Sequence, residues 1–570
     1  MITRVRLEYF KRFGDETFEI GDNIVLAGPN NSGKTTLLQA ISVWHFGFQK
    51  WLAEHAESSQ AKQRIGVPVT RKDFTAIPLR EMDLLWSDRS TAFSKGEKEG
   101  VKPGRPKLVS VTVWGKNPNS STEWCLGVSF RYTSKEQVYV KLIDEKGQPT
   151  TDVPEEVRQI DVVHVPPFSG IGAEETGLNP GYQNMLVGQG KPGDILRNLL
   201  LDVHKKGKDW ETMLEVVKEL FGYELKEPQY AEAAVPFIRI EYCEKKNPQV
   251  KLDLASAGSG FHQVLMLFAF FYARSASILL LDEPDAHLHV ILQRQVYDKL
   301  KTIAREKNCQ LIISTHSEIL LEDTDPDQIL SFYGRPHPLQ IDTQRDQVRE
   351  ALKRLTSLDI IAAESGKNVL YVEDESDFKI LKEFAKKLSP GMTIFFDDPF
   401  FCSIHGRDAR EAKAHFWGLK AIRPTIKGVL LLDGDDRKLQ DREVGAELLD
   451  ILRWNRYEIE NYLLVPSVLY RFIKGKQPDF DLFSRRQKEA GEKYLKDNLP
   501  PAVFANPLQD HDFLDSTSIS KTILPGFFKN AETSLHKKDY FQIASLMDAA
   551  EIHPEVKHKL DAMEKILLGK

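Results

Sequence analysis

The sequence predicts an α/β protein with two parallel-sheet regions and a mainly helical C-terminal tail. The first observation is an apolar run at Ile24–Ala27 that leads through a glycine-containing loop into a helical pattern at Thr36–Val43. The second is a set of apolar runs that end in acidic residues near positions 282, 373 and 433, as expected for strands buried on both faces. The third is the loss of strand-like patterns after about Val465.

Length and composition are typical of a soluble protein with several domains. The chain has 570 residues, of which 41% are hydrophobic and 28% charged. No apolar run approaches the ~20 residues of a membrane helix, and the N-terminal residues do not resemble a signal peptide. The four cysteines are scattered without a Cys-x-x-Cys pair, which argues against a zinc site or disulfides. We therefore expect a cytoplasmic protein without membrane contact.

Residues 28–35 carry the phosphate-loop pattern G-x-x-x-x-G-K-[ST]. Glycines let backbone N–H groups turn toward a phosphate, and the N-terminus of the following helix adds a positive dipole. Lys34 is expected to contact the β- and γ-phosphates, and the Thr35 hydroxyl to bind Mg²⁺. The residues predicted to contact ATP in this loop are Gly28, Asn30, Asn31, Ser32, Gly33, Lys34, Thr35 and Thr36.

Three later segments complete a nucleotide site. The strand pattern SILLLDEPD delivers Asp282 to the metal and Glu283 to the attacking water. Within LIISTHS the strand pattern ends at His316, which is placed to sense the γ-phosphate, although a histidine at a strand end is more often structural. LASAGSGFHQ begins a helix whose N–H groups are available to a phosphate, although such a start is more often a plain cap.

The order GPNNSGKT, SAGSG, LLLDEPDAHLH and STHS resembles that of ABC-type ATPases of the SMC and RecF kind. The resemblance implies that 256–260 is a divergent signature motif, in which Ser256 and Gly258 contact ATP held by a second copy. It also implies that 285–289 is the D-loop and His316 the switch histidine. The resemblance therefore also implies a homodimer or higher oligomer that forms through the ATPase heads. The phosphate loop and the signature lie roughly 220 residues apart without sustained heptads, so we expect a compact head.

Acidic residues also end two strand patterns in the C-terminal half. VLYVEDESD leads to Glu373, with Asp377 at the start of a helix, and VLLLDGDD leads to Asp433 and Asp435. Converging carboxylates are costly unless divalent cations neutralise them. Gly434 is expected to let the backbone turn so that both aspartates face one ion. The simpler interpretations are an acidic helix N-terminus and a turn.

The pattern E-x-x-x-D followed by D-x-D resembles the Toprim fold, and an ABC head followed by Toprim resembles the overcoming-lysogenization-defect (OLD) family of ATP-dependent nucleases. Within RYEIENYLL, two glutamates at i and i+2 of an expected strand share one face; their simpler interpretation is a pair of exposed strand residues. The Mg²⁺ or Mn²⁺ ligands that the resemblance implies are Glu373, Asp377, Asp433, Asp435, Glu458 and Glu460. The residues expected to take part in catalysis at the two sites are Glu283, His316, Glu373 and Lys521.

The expected organisation is an ABC-type ATPase domain at 1–345 with an insert at about 45–230, a connector at 346–366, and a Toprim-like nuclease domain with a helical tail at 367–570. The connector is predicted to belong to one polar helix over Thr343–Ala363. The hypothesis for function is metal-dependent cleavage of nucleic acid under ATP control, in anti-phage defence. The alternative is an ATP-switched assembly protein that binds nucleic acid or a partner without cutting.

The sequence predicts the binding partners of the chain less directly than its nucleotide site. The net charge of −6 neither predicts nor excludes nucleic-acid binding, because a local basic patch is enough for phosphates. DNA is the expected substrate; RNA stays open, since nothing in the sequence indicates base recognition. A protein partner from a neighbouring gene also stays open.

Overall fold

The computed structural model describes residues 1–57, 66–117, 122–231, 235–404, 409–435, 445–475 and 481–569. The chain forms two compact units, unit 1 over Met1–Leu352 and unit 2 over Lys353–Lys570. Within the described segments, no helix is long and apolar enough to cross a membrane.

Among the described residues, unit 1 combines two six-stranded sheets with helices and two smaller sheets of two and three strands. Its strands are β1 Ile2–Phe10, β2 Phe13–Glu19, β3 Ile24–Ala27, β4 Val67–Thr70, β5 Leu108–Lys116, β6 Glu123–Ser134, β7 Gln137–Ile143, β8 Val162–Val165, β9 Tyr223–Leu225, β10 Gln229–Ala231, β11 Val235–Arg239, β12 Glu241–Glu244, β13 Asn247–Asp253, β14 Ile278–Asp282, β15 Gln310–Thr315, β16 Ile329–Ser331 and β17 His337–Pro338. Its helices are α1 Lys34–Glu57, α2 Glu155–Arg158, α3 Pro180–Gly188, α4 Leu196–His204, α5 Lys208–Phe221, α6 Ser259–Ala273, α7 Val290–Glu306, α8 Glu318–Glu322 and α9 Asp342–Arg354.

The first sheet is antiparallel, in the order β2-β1-β5-β6-β7-β4. Helix α1 packs against it because Leu37, Ile41, Trp44 and Phe48 recur at helical spacing and are all fully buried. The Trp44 indole also donates a hydrogen bond to the Leu126 carbonyl of β6 at 2.9 Å. Helix α1, which starts in the phosphate loop, is therefore anchored along its length by the first sheet. The insert supplies strands β4, β5, β6 and β7 of this sheet.

The second sheet has the order β17-β16-β3-β15-β14-β8. Strands β16, β3, β15, β14 and β8 run parallel, and β17 joins β16 antiparallel. In register, Leu26 of β3 lies opposite Ser314 of β15, which lies opposite Asp282 of β14. The carboxyl ends of the three strands therefore meet at one edge, where ligands of open α/β sheets usually bind.

Unit 2 is built on a parallel sheet in the order β19-β18-β20-β21. These strands are β18 Val369–Val372, β19 Phe401–Ser403, β20 Gly428–Leu432 and β21 Leu449–Arg453. The helices are α10 Ser357–Glu364, α11 Glu375–Leu388, α12 Pro390–Asp397, α13 Ala409–Ile422, α14 Pro466–Gly475, α15 Asp481–Asn498, α16 Pro501–Ala505, α17 Asp512–Ser516, α18 Ile519–Thr522, α19 Leu524–Asn530, α20 Phe541–Ser545 and α21 Pro554–Leu567.

The two faces of the unit 2 sheet carry separate cores, because successive strand residues point to opposite faces. Leu370 and Val372 pack with the helices that follow β21 and with α11 and α12. Val369 and Tyr371 pack on the other face, where α10 and α13 lie. The helical tail is thus part of the main core of unit 2.

The expected single helix over Thr343–Ala363 is wrong, because the chain forms α9 and α10 with a break between them. Thr356 ends the continuity: its hydroxyl accepts from the Asp359 N–H, and its own N–H donates to Asp359 Oδ2 at 2.8 Å. This reciprocal capping box stabilises a new helix start. The boundary between the two units falls within α9.

Candidate functional site

The phosphate loop of unit 1 lines a cavity of about 300 Å³ together with Glu283 and His316. Gly33 has a φ of 110°, and a Cβ there would lie 2.4 Å from the Phe13 ring, so only glycine fits. The Ser32 hydroxyl oxygen is buried and has no hydrogen-bond partner among the described residues. A phosphate oxygen would satisfy it. The cavity is lined from the loop by Asn30, Asn31, Ser32, Gly33, Lys34, Thr35 and Thr36.

Lys34 lies at the centre of the loop, with little exposure to solvent. Its Nζ donates to the carbonyl oxygens of Gly28 and Pro29 at 2.8 and 2.9 Å and lies 3.1 Å from His316 Nε2. Burial lowers the pKa of Lys34 to about 8. A phosphate beside it would counteract this, since an adjacent negative charge favours the protonated amine.

Thr35 and Asp282 meet as expected for a magnesium site. The Thr35 hydroxyl donates to Asp282 Oδ1 at 3.0 Å, and the Ser314 hydroxyl donates to the same oxygen. Burial raises the pKa of Asp282, and these two hydrogen bonds oppose the rise. A hydroxyl and a carboxylate at one point form the oxygen ligand set that Mg²⁺ prefers beside nucleotide phosphates.

Glu283 follows β14 in a backbone conformation that is rare for a residue with a side chain, with a φ of 52°. Its Oε1 lies 3.2 Å from His316 Nε2, the nitrogen that also faces Lys34. The hydrogen bond from His316 lowers the pKa of Glu283, which keeps the carboxylate ionised. Such strained residues cluster at functional sites, and an ionised glutamate can accept a proton from water.

The segment around Ser256 and Gly258 is exposed at the start of α6. Asp253 fixes it by accepting from the Ala255 N–H at 2.8 Å and from Arg197 at 2.9 Å. Arg197 is almost fully buried, and the sequence analysis missed it because it lies 56 residues upstream of Asp253 without a motif. The expected contact of Ser256 and Gly258 with ATP of a second copy stays a prediction.

A second site lies at the carboxyl edge of the unit 2 sheet. Strands β18 and β20 are parallel neighbours, so Glu373 and Asp433, which follow them directly, come together. The Asp433 N–H donates to Glu373 Oε1 at 2.9 Å. The two acid-ended strands of the sequence therefore meet at one point.

Asp377 belongs to the same cluster and also caps a helix. Its Oδ2 accepts from the Asp374 N–H at 3.0 Å, in a capping box at the start of α11. The simpler interpretation of Asp377 as a helix N-terminal acid thus applies as well. Burial, and then the charge of Glu460, raises the pKa of Asp377 to about 8. Asp377 is therefore a buried acid beside another carboxylate, and not only a helix cap at the surface.

The expected strand containing Glu458 and Glu460 is wrong, as is the interpretation of both as exposed residues. Residues Ile459–Leu463 form a 3₁₀ helix, and both glutamates are almost fully buried. The chain bends because the Asn461 side chain bonds the carbonyl oxygens of Leu514 and Thr517. These bonds tie the segment to the helical tail instead of to a neighbouring strand.

Glu458 and Glu460 both reach the acidic cluster despite the different backbone. Glu458 Oε1 accepts from the Ser520 N–H at 2.7 Å and from the Ser518 hydroxyl at 2.9 Å. Glu460 lies beside Lys537, whose Nζ is 3.1 Å from Glu460 Oε1. The tail therefore supplies hydrogen-bond donors and a cation to the site.

Lys537 lies at this cluster, and the role expected for Lys521 stays a prediction. Lys521 is exposed and forms no ion pair within the described part of the chain. The neighbouring carboxylates, Glu460 foremost, raise the pKa of Lys537 although burial opposes this, and its Nζ also lies 3.9 Å from Asp374 Oδ2. No sequence motif marks Lys537, because it lies in the polar stretch HKKD.

The cluster gathers five carboxylates around one lysine. Burial, and then the charges of Asp377, Glu373, Glu460 and Glu458, raise the pKa of Asp433 to about 9. The raised pKa values of Asp377, Asp433 and Glu460 favour their protonated forms unless cations neutralise the charges. Carboxylate oxygens are the ligand type that hard divalent ions such as Mg²⁺ or Mn²⁺ prefer.

Gly434 is required for a reason other than the expected turn. Its φ lies outside the left-handed region, but a Cβ would lie 2.4 Å from the carbonyl oxygens of both Trp454 and Arg456. The glycine therefore allows the segment that carries Glu458 to approach the end of β20. Asp435 is half-buried and is the last described residue before 445, and its role as a ligand stays a prediction.

Two family models match unit 1. Residues 4–71 match an AAA domain, and residues 187–321 match an AAA ATPase domain. These ranges contain the phosphate loop, Asp282, Glu283 and His316.

Unit 1 is a P-loop ATPase domain.

Similar solved structures are distant from this ATPase chain. The SMC head domain from Thermotoga maritima is 15% identical, with a TM-score of 0.31, and the match covers 60% of this chain and 99% of that one. An Smc head domain with a coiled coil and joint from Pyrococcus yayanosii is 12% identical, with a TM-score of 0.36, and the match covers 62% and 99%. No curated protein matches the chain significantly.

The assignment of the ATPase unit rests on the two family matches and on the geometry around Lys34. ATP and Mg²⁺ are the ligands that this domain implies, and the loop, Thr35 and Asp282 form a fitting site. Neither family match extends into unit 2.

Proposed function

We propose that this chain is an ATP-controlled, divalent-metal-dependent nuclease of the OLD kind, with unit 2 as a Toprim-like catalytic domain acting in anti-phage defence. The observation that carries the proposal is the convergence of five carboxylates, four buried and one half-buried, with Lys537 at the carboxyl edge of a parallel sheet. A packed core gains nothing from so many like charges, because each is costly to bury. Binding two cations and a phosphate explains them.

The residues divide into metal holders and positioning groups. Glu373 and Asp433 are held together by the Asp433 N–H and would share one ion. Asp377 and Glu460, whose charges act on each other, would hold another. Hydrogen bonds from Ser518 and Ser520 orient Glu458, which supports its role as a further ligand of the second ion. The proposed ligands are Glu373, Asp377, Asp433, Asp435, Glu458 and Glu460.

Phosphodiester hydrolysis requires stabilisation of the attacking and the leaving oxygen. When bound, two divalent cations supply this stabilisation and activate water as the nucleophile. Lys537 brings the positive charge of its amine to the same place and would contact a non-bridging oxygen of the scissile phosphate. Glu373, at the end of β18, is positioned to accept the proton of the attacking water.

In the ATPase unit, Glu283 would accept the proton of the water that attacks the γ-phosphate, while Lys34 and His316 contact the phosphates. The exposed start of α6 is available to ATP of a second copy. ATP-dependent pairing of two chains would then control cutting, with DNA as the proposed substrate and RNA as the second.

The test is cleavage of plasmid DNA by the full chain with Mg²⁺ or Mn²⁺, with and without ATP. Asp433→Asn is expected to reduce cutting by about 10²-fold or more, because one of the proposed metal ligands loses its negative charge. ATP hydrolysis should be unchanged. Lys34→Ala is expected to abolish ATP hydrolysis and the effect of ATP on cutting. Asp450→Asn, at an exposed position of β21, is the matched control and should cut normally.

Cutting that survives Asp433→Asn would contradict the assignment of the acids. Absence of cutting on DNA and on RNA under every metal and ATP condition would contradict nuclease activity altogether. If such a preparation still binds nucleic acid, the result would support the alternative hypothesis, an ATP-switched assembly protein that binds nucleic acid without cutting it.

A further inference from the structure

A second cluster of ligand-type side chains lies in unit 2 and shares no residue with the acidic site. Asp359 of α10, Cys402 of β19 and His415 of α13 are all half-buried. Cys402 Sγ lies 4.0 Å from Asp359 Oδ1 and 4.0 Å from His415 Nε2, and His415 Nε2 lies 3.5 Å from Asp359 Oδ2. Three elements that are distant in sequence thus bring a thiol, an imidazole and a carboxylate together.

The separations fit a metal with short bonds to sulfur, nitrogen and oxygen. Zinc bonds of ~2.0–2.3 Å in tetrahedral directions place ligand atoms about 3.3–3.6 Å apart. One ligand atom of each residue lies within 4.8 Å of the others, so the three side chains need to contract around an ion.

The orientation of His415 separates a metal site from a nucleophilic triad. In a triad, the nucleophile and the carboxylate bind opposite nitrogens of the imidazole. Here Cys402 and Asp359 both face Nε2, and Nδ1 lies 2.9 Å from the hydroxyl of Tyr371. Convergence on one nitrogen, with the other nitrogen hydrogen-bonded, is the arrangement of a metal-bound histidine.

Asp359 has one oxygen to spare. Its Oδ2 accepts from the N–H and the hydroxyl of Thr356 in the helix cap. Its Oδ1 has the Cys402 thiol as its neighbour. The cap therefore fixes the carboxylate through Oδ2, the oxygen that lies nearest to His415 Nε2, while it leaves Oδ1 directed at the thiol.

We propose that Asp359, Cys402 and His415 bind one Zn²⁺ ion, with water in the fourth position. Thiolate and imidazole ligands select zinc over Mg²⁺, so this site and the acidic cluster take different metals. Binding breaks the S–H bond of Cys402, forms a zinc–sulfur bond and releases the proton to solvent. The expectation from cysteine spacing that zinc is absent is revised, because these ligands come from three separate elements.

The ion would join α10 and α13 to β19 on one face of the sheet. Tyr371, which holds His415, lies in β18 two residues before Glu373. The zinc site thus stabilises the strand that ends at the acidic site without supplying a ligand to it.

The test is zinc titration of the chelator-treated full chain in excess Mg²⁺, with a chromophoric competitor for zinc. The expected result is one tightly bound zinc per chain, and Co²⁺ in its place should give the absorption band of a cobalt–thiolate bond. Cys402→Ser and His415→Ala should each weaken zinc binding by more than about 10-fold, and Tyr371→Phe by about 10–100-fold. Cys125→Ser, a half-buried cysteine outside the cluster, should bind zinc normally.

Asp433→Asn serves as the control for the acidic cluster and should leave the zinc stoichiometry at one. Equal zinc affinity of Cys402→Ser and the unaltered chain would overturn the proposal. A cobalt-loaded unaltered chain without a thiolate band would overturn it too, whether or not the variants fold.

Discussion

At the scale of single residues, Glu283 combines a rare backbone conformation with a specific partner. A φ of 52° costs free energy for a residue with a Cβ. The Glu283 N–H bonds the Ser314 carbonyl at 3.1 Å, and its side chain meets His316. The backbone bond to β15 therefore holds the carboxylate toward the cavity that the phosphate loop lines.

Glu283→Gln is expected to lower ATP hydrolysis by about 10²–10⁴-fold, because the amide cannot accept a proton from water. ATP binding should persist, since Lys34 and the loop are unchanged. Phosphate release and binding of labelled ATP measure the two effects. Glu219→Gln, which changes a surface ion pair with Lys299, is the control and should hydrolyse ATP normally. Unreduced hydrolysis by Glu283→Gln would assign the base to another residue.

At the scale of elements, the close approach at Gly434 links the end of β20 to the segment after β21. The Trp454 N–H also donates to the Leu432 carbonyl at 2.9 Å. The buried guanidinium of Arg456 donates to the carbonyl oxygens of Asn461 and Pro507. Backbone groups thus hold this segment on both sides, and little space remains for an added atom.

Gly434→Ala is expected to destabilise unit 2 by about 1–3 kcal/mol, because the new Cβ meets rigid carbonyl oxygens. It should also displace Glu458 and weaken Mg²⁺ binding. Calorimetric unfolding of the full chain, with and without Mg²⁺, measures both. Gly475→Ala is the matched control, since no atom lies within 4 Å of its added Cβ. Identical unfolding of the two variants would contradict the steric argument.

The elements that the sequence predicted best are those encoded by adjacent residues. The phosphate loop needs glycines, Lys34 and Thr35 in a fixed order, so its pattern is visible without a structure. The strand ends at Glu373 and Asp433 were visible for the same reason. Their meeting in space followed from the parallel strand order, which periodicity alone does not give.

The residues that sequence reasoning misplaced depend on contacts across long stretches of chain. Glu458 and Glu460 alternate like strand residues, but hydrogen bonds from Asn461 to the tail decide the backbone. Lys537 reaches Glu460 across 77 residues, and no local pattern distinguishes it from Lys521. Tertiary contacts therefore overrode local propensity.

At the scale of the whole molecule, each unit has its own core and its own charged site. In unit 2 the tail packs into the sheet: Phe527 and Leu560 share a buried cluster with Leu370 and Val429. The Asn455 N–H donates to Glu555 of α21 at 2.9 Å. The tail is therefore part of the same folded core as the sheet whose strands end at the acids.

The free energy of unfolding of unit 2 without divalent cations is expected to fall between about pH 6 and pH 9. The pKa values of Asp377 and Asp433 are raised from 3.8 to about 8 and about 9. Over this range the folded chain keeps protons that the unfolded chain has released, so rising pH favours unfolding. Under the proposed function, Mg²⁺ would replace these protons, and its stabilisation should be larger at the higher pH.

Calorimetric unfolding at about pH 6 and about pH 9, with Mg²⁺ or with a chelator, measures this change in stability. A loss of 1 kcal/mol corresponds to about 2–4 °C for a unit of this size. Asp433→Asn carries no titrating group at that position and should show a smaller dependence on pH. A unit 2 transition that rises in temperature from the lower to the higher pH without Mg²⁺ would contradict the direction.

The position of Lys537 has a consequence for synthesis of the chain. Glu373, Asp433 and Glu460 leave the ribosome before Lys537 and before Ser518 and Ser520, which lie in the tail. A nascent chain that ends before the tail therefore has neither the cation nor the packed core that orders its acids. The acidic cluster can therefore be completed only after the tail has been translated and has folded, when synthesis of the ATPase unit is already finished.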